Sequence, residues 1–311
     1  MSALAQKIPA PNVPVKTGKI DWIGNIPFLL IHAAVLGAFF VRFHWWYIPL
    51  AIGSYYLRMF FVTAGYHRYF SHRTFKMNRA SQFFFAWMAS TTAQKGVLWW
   101  AANHRHHHRY SDQPEDIHSP IQRGFWWSHV GWIMSKEHLK TQWHQIQDLA
   151  KFPELRLLNR YHLVPAIAYA VAFFLLGGWG ALIWGFMIST VLLWHGTFTI
   201  NSLSHVFGSR RYQTADTSRN NALLAVVTMG EGWHNNHHSC MSSTRQGFFW
   251  WEWDPTFYIL KAMSWIRITR DLRDPPLELL EAKRIKRREP FPRAQTSIPL
   301  DESSDCSVSR A

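Results

Sequence analysis

Two pairs of long apolar runs dominate the pattern of hydrophobic and polar positions along the chain. The first pair reads IPFLLIHAAVLGAFF and WWYIPLAIGSYYLRMFFVTAG, with a basic break at Arg42 between the runs. The second pair reads HLVPAIAYAVAFFLLGG and ALIWGFMISTVLLWHGTFTIN, joined by a turn at Gly177, Gly178 and Gly180. A bilayer core needs about 20 helical residues to cross it. The pattern predicts four transmembrane helices arranged as two hairpins, over about residues 26–42, 45–66, 162–178 and 181–201.

The distribution of Lys and Arg predicts how these hairpins are oriented. The two short turns hold one Arg and no Lys, whereas residues 66–160 and 202–311 hold most of the basic residues. Cytoplasmic loops of membrane proteins carry the positive excess. Both long segments and both termini are therefore expected on the cytosolic side. The predicted fold class is an all-α, multi-pass integral membrane protein with a cytosolic helical cap.

Three shorter stretches are apolar but interrupted by polar residues. They cover residues 79–101, 123–135 and 247–266, and we expect each to be an amphipathic helix in the membrane interface. Residues 1–24 are polar and Pro-rich and are predicted to be a mobile arm, without the apolar core of a cleaved signal peptide. The predicted membrane domain covers residues 25–278, and the charged, Ser-rich residues 279–311 are expected to be a disordered tail.

Composition narrows the class of protein. Aromatic residues make up 16% of the chain and Trp occurs 18 times, which suits a membrane interface. The formal charge of +14 points to an anionic leaflet or an anionic substrate. Nucleic acid is not expected as a partner, because the basic residues are scattered among apolar spans. The two cysteines, Cys240 and Cys306, form no disulfide framework and fit a reducing cytosolic face.

Nine histidines beside the apolar runs are the candidate chemical groups. Imidazole is the commonest protein ligand for metal ions. One tetrahedral ion takes about four ligands, so this set suits two octahedral ions with open positions. The histidines lie in HRYFSH (His67, His72), HRHHH (His104, His107, His108), NSLSH (His205) and HNNHH (His234, His237, His238).

The spacing within the motifs separates ligands from other histidines. Residues at i, i+3 and i+4 share one face of a helix, which applies to the three ligand candidates of HRHHH and of HNNHH. His106 points elsewhere, and His32, His44, His162 and His195 are interpreted as core or interface residues. His67 and His72 are about 140° apart on an α-helix. They converge only near a helix end or from opposite sides of a two-metal centre.

The four motifs, in this order and spacing, resemble the membrane-bound fatty acyl desaturases of the stearoyl-CoA desaturase type. The similarity covers about residues 25–270 and includes TAGYHRYFSHRTFK, PEDIHSPIQRGFWWSHVGW and GEGWHNNHHS. It implies that all nine histidines bind two Fe²⁺ ions and that Asn201 reaches one iron through a water. Asn201 lies one helical turn before His205, where an amide or a bound water could fill an open ligand position. The sequence does not divide the histidines between the two ions.

The resemblance also implies a reaction. An enzyme of this kind uses dioxygen and two electrons to insert a cis double bond, at the ninth carbon, into a saturated long-chain acyl-CoA. We expect the electrons from a separate carrier of the ferredoxin, rubredoxin or cytochrome b5 type. Related di-iron enzymes hydroxylate alkanes, lipids or sterols, and the resemblance favours desaturation over hydroxylation. A membrane metal carrier would place ionisable residues at the bilayer midplane, whereas the spans here are nearly free of charge.

Further site residues follow from the ligand positions. Ligand imidazoles need carboxylates that fix their orientation, although solvated loop acids are the alternative reading for each candidate. Trp100, just before HRHHH, is a candidate wall of the acyl tunnel, and the resemblance implies that the face carrying Ala51 and Tyr55 closes it. We expect Tyr55 to limit chain length, unless it is only a packing residue. The carboxylate candidates are Asp112, Glu115, Asp116, Asp216 and Glu231.

The chain departs from the family pattern where the CoA head group would bind. Acyl-CoA members carry a basic and an acidic residue just before HxxHH, where this chain has Ala102 and Asn103. Paired arginines in a later loop are replaced by Gln122 and Arg123. Arg123 remains a candidate phosphate anchor. Acyl groups carried by membrane lipid are the alternative substrate.

Overall fold

The computed structural model describes residues 17–285, most of which are helical. Residues 1–16 of the predicted arm and 286–311 of the predicted tail lie outside this range. The α-helices are Ile26–Ala34 (α1), Tyr47–Phe61 (α2), Arg79–Ser90 (α3), Val97–Tyr110 (α4), Pro120–Arg123 (α5), Trp132–Met134 (α6), Gln147–Ala150 (α7), Pro153–Arg160 (α8), Val164–Ala181 (α9), Ser189–Asn201 (α10), Leu203–Val206 (α11), Ala222–Val227 (α12), His234–Ser239 (α13), Pro255–Trp265 (α14) and Leu277–Lys283 (α15).

Shorter elements complete the described fold. Two strands, Lys76–Met77 (β1) and Thr269–Arg270 (β2), pair antiparallel and join the segment after HRYFSH to the segment after α14. Tight 3₁₀ turns cover Val35–Phe39, Lys136–His138 and Trp143–Gln145, and wide π-helical turns cover Val62–Ser71, Trp127–Gly131 and Leu182–Ile188.

The first pair of apolar runs forms two helices. α1 and the 3₁₀ turn after it end at Phe39, and the next helix begins at Tyr47, so the break falls around Arg42 as predicted. α2 continues without interruption into the π-helical turn and ends at Ser71, beyond the predicted end at residue 66. The extension exists because the π-helical hydrogen bonds carry the helix through the HRYFSH motif.

The second pair of apolar runs forms one hydrogen-bonded helix with a sharp reversal. Val164–Val206 spans 43 residues and is, within residues 17–285, the helix long and apolar enough to cross a membrane. Gly177 and Gly178 break the helical geometry, and Gly178 has φ +64°. The rings of Tyr169 and Phe186 are only 6.3 Å apart, whereas a straight helix would place these residues about 25 Å apart. The chain therefore folds back at the two glycines, where the sequence predicts the turn.

A fully buried arginine joins the two hairpins. Arg58 of α2 donates hydrogen bonds to the hydroxyls of Ser189 (2.6 Å) and Thr190 (2.7 Å), near the start of α10. Its guanidinium also lies 5.2 Å from the ring centre of Tyr169 on α9, which is cation–π geometry. The same group reaches the carbonyl of Thr91, after α3. This charge inside a predicted span is therefore satisfied by neutral groups from several segments.

The predicted interface helix over residues 79–101 is wrong as a single element. The chain leaves the helix after Ser90, because the hydroxyls of Thr91 and Thr92 bond the preceding turn and Ala93 and Lys95 adopt positive φ. α4 then starts at Val97 and carries HRHHH. The observed turn between α3 and α4 leaves Ala93, Gln94 and Lys95 half-buried and outside any helix.

The other two interface helices are also shorter than predicted. Within residues 123–135, one continuous helix covers residues 125–134 and includes the π-helical turn and α6, whereas Gly124, with φ +86°, separates this helix from α5. In the stretch 247–266 the helix begins at Pro255, where the Asp254 side chain accepts a hydrogen bond from the amide of Phe257. The apolar composition of these stretches does not show the helix cap at Asp254 or the turn at Gly124, which set the ends of the helices.

The reversal at Gly178 generates a stability prediction. Its backbone conformation (φ +64°, ψ −157°) is one that side chains rarely adopt, so we expect Gly178→Ala to destabilise the protein by about 1–3 kcal/mol. Gly53→Ala is the matched control, because Gly53 lies in α2 with open space around its Cα. Thermal unfolding in detergent should show a lower midpoint for Gly178→Ala only. Equal midpoints for the two variants would contradict the assignment of the turn.

Candidate metal centre

α4 presents three histidines on one face near its C-terminal end. His104, His107 and His108 all point towards the histidines of other segments, as the i, i+3, i+4 spacing predicts. His106 points away, and its Nε2 forms a hydrogen bond with the carbonyl of Glu115 (3.0 Å). α13, which begins at His234, presents its own histidines in the same way.

A π-helical turn brings His67 and His72 together. The amide of His72 donates to the carbonyl of His67 (3.2 Å), which is the i→i+5 bond of a π-helix. This winding places residues five apart nearly above each other, and the two rings are 4.9 Å apart. The pair therefore converges at the end of the helix, where His72 is the C-cap of the π-helical turn. π-helical turns occur frequently at functional sites.

The nine histidines form two buried groups. In each group one ring nitrogen from every residue lies within 4.8 Å of the others. The first group is His67, His72, His104, His108 and His237, and the second is His107, His205, His234 and His238. The structure therefore provides the division that the sequence left open.

The Nε2 atoms converge on the centre of each group. In the first group, His104 Nε2 is 2.9 Å from that of His72 and 3.0 Å from that of His108. In the second, the Nε2 atoms of His205 and His234 are 3.1 Å apart. Each group is thus a compact set of imidazole nitrogens from separate segments of the chain.

Carboxylates bind the opposite ring nitrogens. Nδ1 of His67 lies 2.5 Å from Glu231, and Nδ1 of His107 lies 3.0 Å from Asp116. Nδ1 of His205 and of His238 lie 3.0 Å and 2.5 Å from Asp112 and Asp216. A carboxylate that accepts a hydrogen bond from Nδ1–H keeps the ring proton on that nitrogen and leaves the Nε2 lone pair free. The Glu115 carboxylate does not orient a ligand histidine, contrary to expectation. Its side chain is exposed, and only its backbone carbonyl forms a hydrogen bond with a histidine, His106.

The carboxylates are themselves fixed. Burial alone would raise the pKa of Asp112, but His205 and the hydroxyls of Ser119 and Thr217 hold it below its usual range. Burial likewise opposes ionisation of Asp116, but His107 and several hydrogen bonds lower its pKa to about 2. Both groups therefore remain anionic and keep their histidines oriented.

Burial also sets the state of the imidazoles. It is the main cause that holds the pKa of His72, His104 and His108 well below the usual value, and neighbouring histidines add to it. The same holds for His234 and His237. Neutral imidazole is the form that binds metal ions.

The donor set fits metal ions. Within the described residues, Nε2 of His238 is buried without a hydrogen-bond partner while its Nδ1 is held by Asp216. Nε2 of His107 and of His205 carry lone pairs for the same reason. Several lone pairs that face one another in a buried space repel unless a cation lies between them. Imidazole sets of this kind suit iron, zinc or copper.

A small cavity borders both groups. Its volume is about 30 Å³, and it is lined by His67 and His104 of the first group and by His107 and His234 of the second. Asn201 also lines it, at the end of α10, which is compatible with its expected role beside a bound water. A space of this size holds one or two small molecules.

A larger, mostly apolar cavity of about 190 Å³ lies beside the small one and shares four lining residues with it. Trp100, as expected for a tunnel wall, lines both cavities. Thr197 also lines both, and its hydroxyl accepts a hydrogen bond from Gln94 (3.0 Å). The sequence analysis missed Gln94 and Thr197. The polar interruption of the apolar stretch at Gln94 was the available signal.

The residues expected to close the acyl tunnel do not line the cavities. Ala51 and Tyr55 are buried in α2, but neither lines either cavity. Met59, one turn beyond Tyr55, lines the small cavity instead. The Tyr55 hydroxyl donates to the carbonyl of Val227 (2.8 Å), so its ring is held directly behind that turn of the helix.

Three of the residues considered for binding the CoA head group do not line the larger cavity. Arg123 does not line the larger cavity, and its guanidinium donates to the carbonyls of Asp116 and Pro114. It therefore braces the loop that carries Asp116. Gln122 donates to the carbonyl of Asp112 (2.8 Å) in the same loop. Ala102 is buried in the core.

His118 is a further residue that the sequence analysis missed. It is buried, it lines the larger cavity, and its ring lies 4.3 Å from that of His107. Its backbone amide donates to Asp116, the carboxylate that also binds His107. Its position in EDIHSP, outside the histidine clusters, gave no signal of this contact.

The fold and the site define a helical protein with two adjacent imidazole sites beside an apolar cavity. The family model for fatty acid desaturases matches residues 43–264. The chain is 34% identical over 284 residues to the acyl-CoA 5-desaturase AL21 of Anemone leveillei, which covers 86% of this chain and 88% of that protein. It is 36% identical over 264 residues to the sn-1 stearoyl-lipid 9-desaturase of Synechocystis, with coverages of 82% and 81%.

The chain belongs to the fatty acid desaturase family. Its relatives are oxidoreductases that introduce double bonds into fatty acyl chains, and this protein is an oxidoreductase of lipid metabolism.

The carboxylate contacts generate a testable prediction. We expect Asp216→Asn to lower the affinity for iron about 10- to 100-fold, because His238 loses the charge that orients its ring. Glu115→Gln makes the same chemical change at an exposed carboxylate and serves as the control. The measurement is the iron retained per chain during titration with a chelator. Equal retention by the two variants would argue against a role for Asp216.

Proposed function

We propose that the protein inserts a cis double bond at the ninth carbon of a saturated long-chain acyl group. The two histidine groups hold two iron ions, and dioxygen is the co-substrate. One observation carries this proposal: the small cavity lined by histidines of both groups shares lining residues with a larger apolar cavity. A metal pair and an acyl chain would therefore share one buried space.

The chemistry requires such a site. Iron with dioxygen supplies an oxidant strong enough for unactivated C–H bonds, which ordinary acids and bases do not attack. Per double bond, one dioxygen takes up two hydrogen atoms from the acyl chain, two electrons and two protons, and leaves as two waters. The residues of the chain hold the metals, position one carbon pair and exclude other reactions.

The proposed ligands follow the two groups. Five histidines bind one iron, and four bind the other together with a water held by Asn201. The buried carboxylates Asp112, Asp116, Asp216 and Glu231 orient the ligand rings through Nδ1.

The acyl chain lies along the apolar cavity. Trp100 and the Gln94–Thr197 pair border the passage to the metals, so they position the reacting carbons. Met59 faces the small cavity and Tyr55 lies one turn behind it, so this face of α2 sets the length of the acyl chain. The ninth-carbon position is supported by the Synechocystis relative, which is named as a 9-desaturase, while the Anemone relative is named as a 5-desaturase.

The proposed topology is a four-span membrane domain over residues 25–278, with the histidines on the cytosolic side. Both apolar hairpins support it, as does the excess of Lys and Arg outside the short turns. Electrons come from a separate ferredoxin, rubredoxin or cytochrome b5. The basic charge of the chain favours an acidic carrier.

Product analysis tests the function. A host that expresses the protein and is fed saturated fatty acids should gain cis-9 monounsaturated chains. His107→Ala should abolish them, because it removes a ligand and the partner of Asp116. His106→Ala is the control, since that ring points away from both groups. Hydroxylated chains without new alkenes would replace desaturation with oxygen transfer as the function.

Chain length tests the role of Tyr55. Tyr55→Ala removes the ring behind Met59, so we expect the preferred substrate to lengthen by about two or more carbons, since each turn of helix α2 spans about 5.4 Å. Tyr55→Phe keeps the ring and loses only the hydrogen bond to Val227. It should retain the wild-type preference. The measurement is competition among saturated chains of several lengths, and an unchanged preference in Tyr55→Ala would refute the role.

A further inference from the structure

The mouth of the larger cavity is marked by its exposed lining residues. Most of the lining is buried or half-buried, including Trp99, Trp194 and Phe198. Among the described lining residues, Gly24, Pro27 and Leu163 are the exposed ones. The cavity therefore opens where these three residues meet.

These residues belong to the beginnings of two apolar helices. Gly24 and Pro27 flank the start of α1, and Leu163 immediately precedes α9. The mouth is thus a gap between the first turns of α1 and α9. In the proposed topology, both of these turns lie where the spans enter the bilayer from the cytosolic side.

The surface around the mouth is apolar. The neighbours of the mouth residues along the chain are large hydrophobic side chains in contact with the surroundings, and Ile23 is 81% exposed. A mouth that opened into water would have a polar rim. Exposed apolar side chains next to a predicted span are instead expected to contact lipid. The exposed hydrophobic residues of this rim are Trp22, Ile23, Ile26, Tyr161, Leu163 and Val164.

Within residues 17–285, the residues that line the cavity do not include a cluster of basic side chains for phosphate groups. Lys95 is the one Lys or Arg among the described residues that line the cavity. CoA carries several phosphate groups, and proteins bind such groups with clusters of Arg and Lys. Arg123, the candidate anchor, uses its guanidinium on loop carbonyls. Asn103, which lines the cavity before HRHHH, is uncharged.

We propose that the acyl chain enters this cavity sideways from the bilayer, through the gap between α1 and α9, while it remains attached to a membrane lipid. This inference rests on the proposed function and its topology, and it assigns the carrier of the acyl group. The lipid head group stays at the interface near Lys95. The chain passes along the apolar wall to Trp100 and His104, which border the metal site.

Photocrosslinking tests this route independently of turnover. The iron-loaded full chain is placed in phosphatidylcholine nanodiscs without an electron donor. One sample contains phosphatidylcholine with a diazirine in a stearoyl chain, and the other contains stearoyl-CoA with the same diazirine. After illumination, labelled peptides are identified by mass spectrometry. We expect the phosphatidylcholine probe to label the peptides around Pro27 and Leu163 about tenfold more than the CoA probe.

Two variants add a matched comparison. Leu163→Asp places a charge at the mouth and should reduce labelling by the phosphatidylcholine probe about tenfold or more, because an apolar acyl chain would have to strip the water from the charged group to pass it. Leu157→Asp changes an exposed leucine of α8 that does not line the cavity, and it should leave labelling unchanged. Bound iron verifies that both variants fold. If Leu163→Asp does not fold, Leu163→Gln takes its place.

The outcomes separate the route from the reaction. Equal or stronger labelling by the CoA probe, or labelling insensitive to Leu163, would overturn lateral entry and leave the desaturase proposal intact. When a donor is then added, absence of new double bonds from either carrier would overturn the reaction, whereas the labelling pattern would still decide the route.

Discussion

The contacts between buried carboxylates and histidine Nδ1 atoms are the interaction on which the rest of the site depends. Each carboxylate accepts a hydrogen bond from Nδ1–H of one histidine, so the Nε2 lone pair of that ring points towards the centre of its group. Arg68, itself fully buried, binds both Glu231 and Asp254 and so ties this system to the start of α14. Without these contacts, His67, His107, His205 and His238 would lose the partner that fixes the direction of their rings.

The sequence predicted which residues form the site, but it did not predict how they are arranged in space. The i, i+3, i+4 spacing of HRHHH identified His104, His107 and His108 and excluded His106, because the motif lies on a regular helix. The approach of His67 to His72 depends on a π-helical turn, which periodicity does not reveal. The division into two groups depends on contacts between distant segments, such as His205 with His234, and spacing along the chain does not encode them.

The fold shows the same contrast. The hairpin turn at Gly177 and Gly178 was predictable, because glycine allows the conformation that the reversal needs. The ends of the interface helices were not predictable. They depend on local caps such as Asp254 and on turns with positive φ such as that at Lys95. That turn matters for function, since it places Gln94 beside the passage between the cavities. Local caps and turns, which the apolar pattern does not show, thus determine where these helices end.

The most direct measurement is a crystallographic anomalous difference map of the iron-loaded protein at the iron absorption edge. The account predicts two peaks: one among Nε2 atoms of His67, His72, His104, His108 and His237, and one among those of His107, His205, His234 and His238. A single peak, or a peak on the Nδ1 side next to the carboxylates, would contradict it.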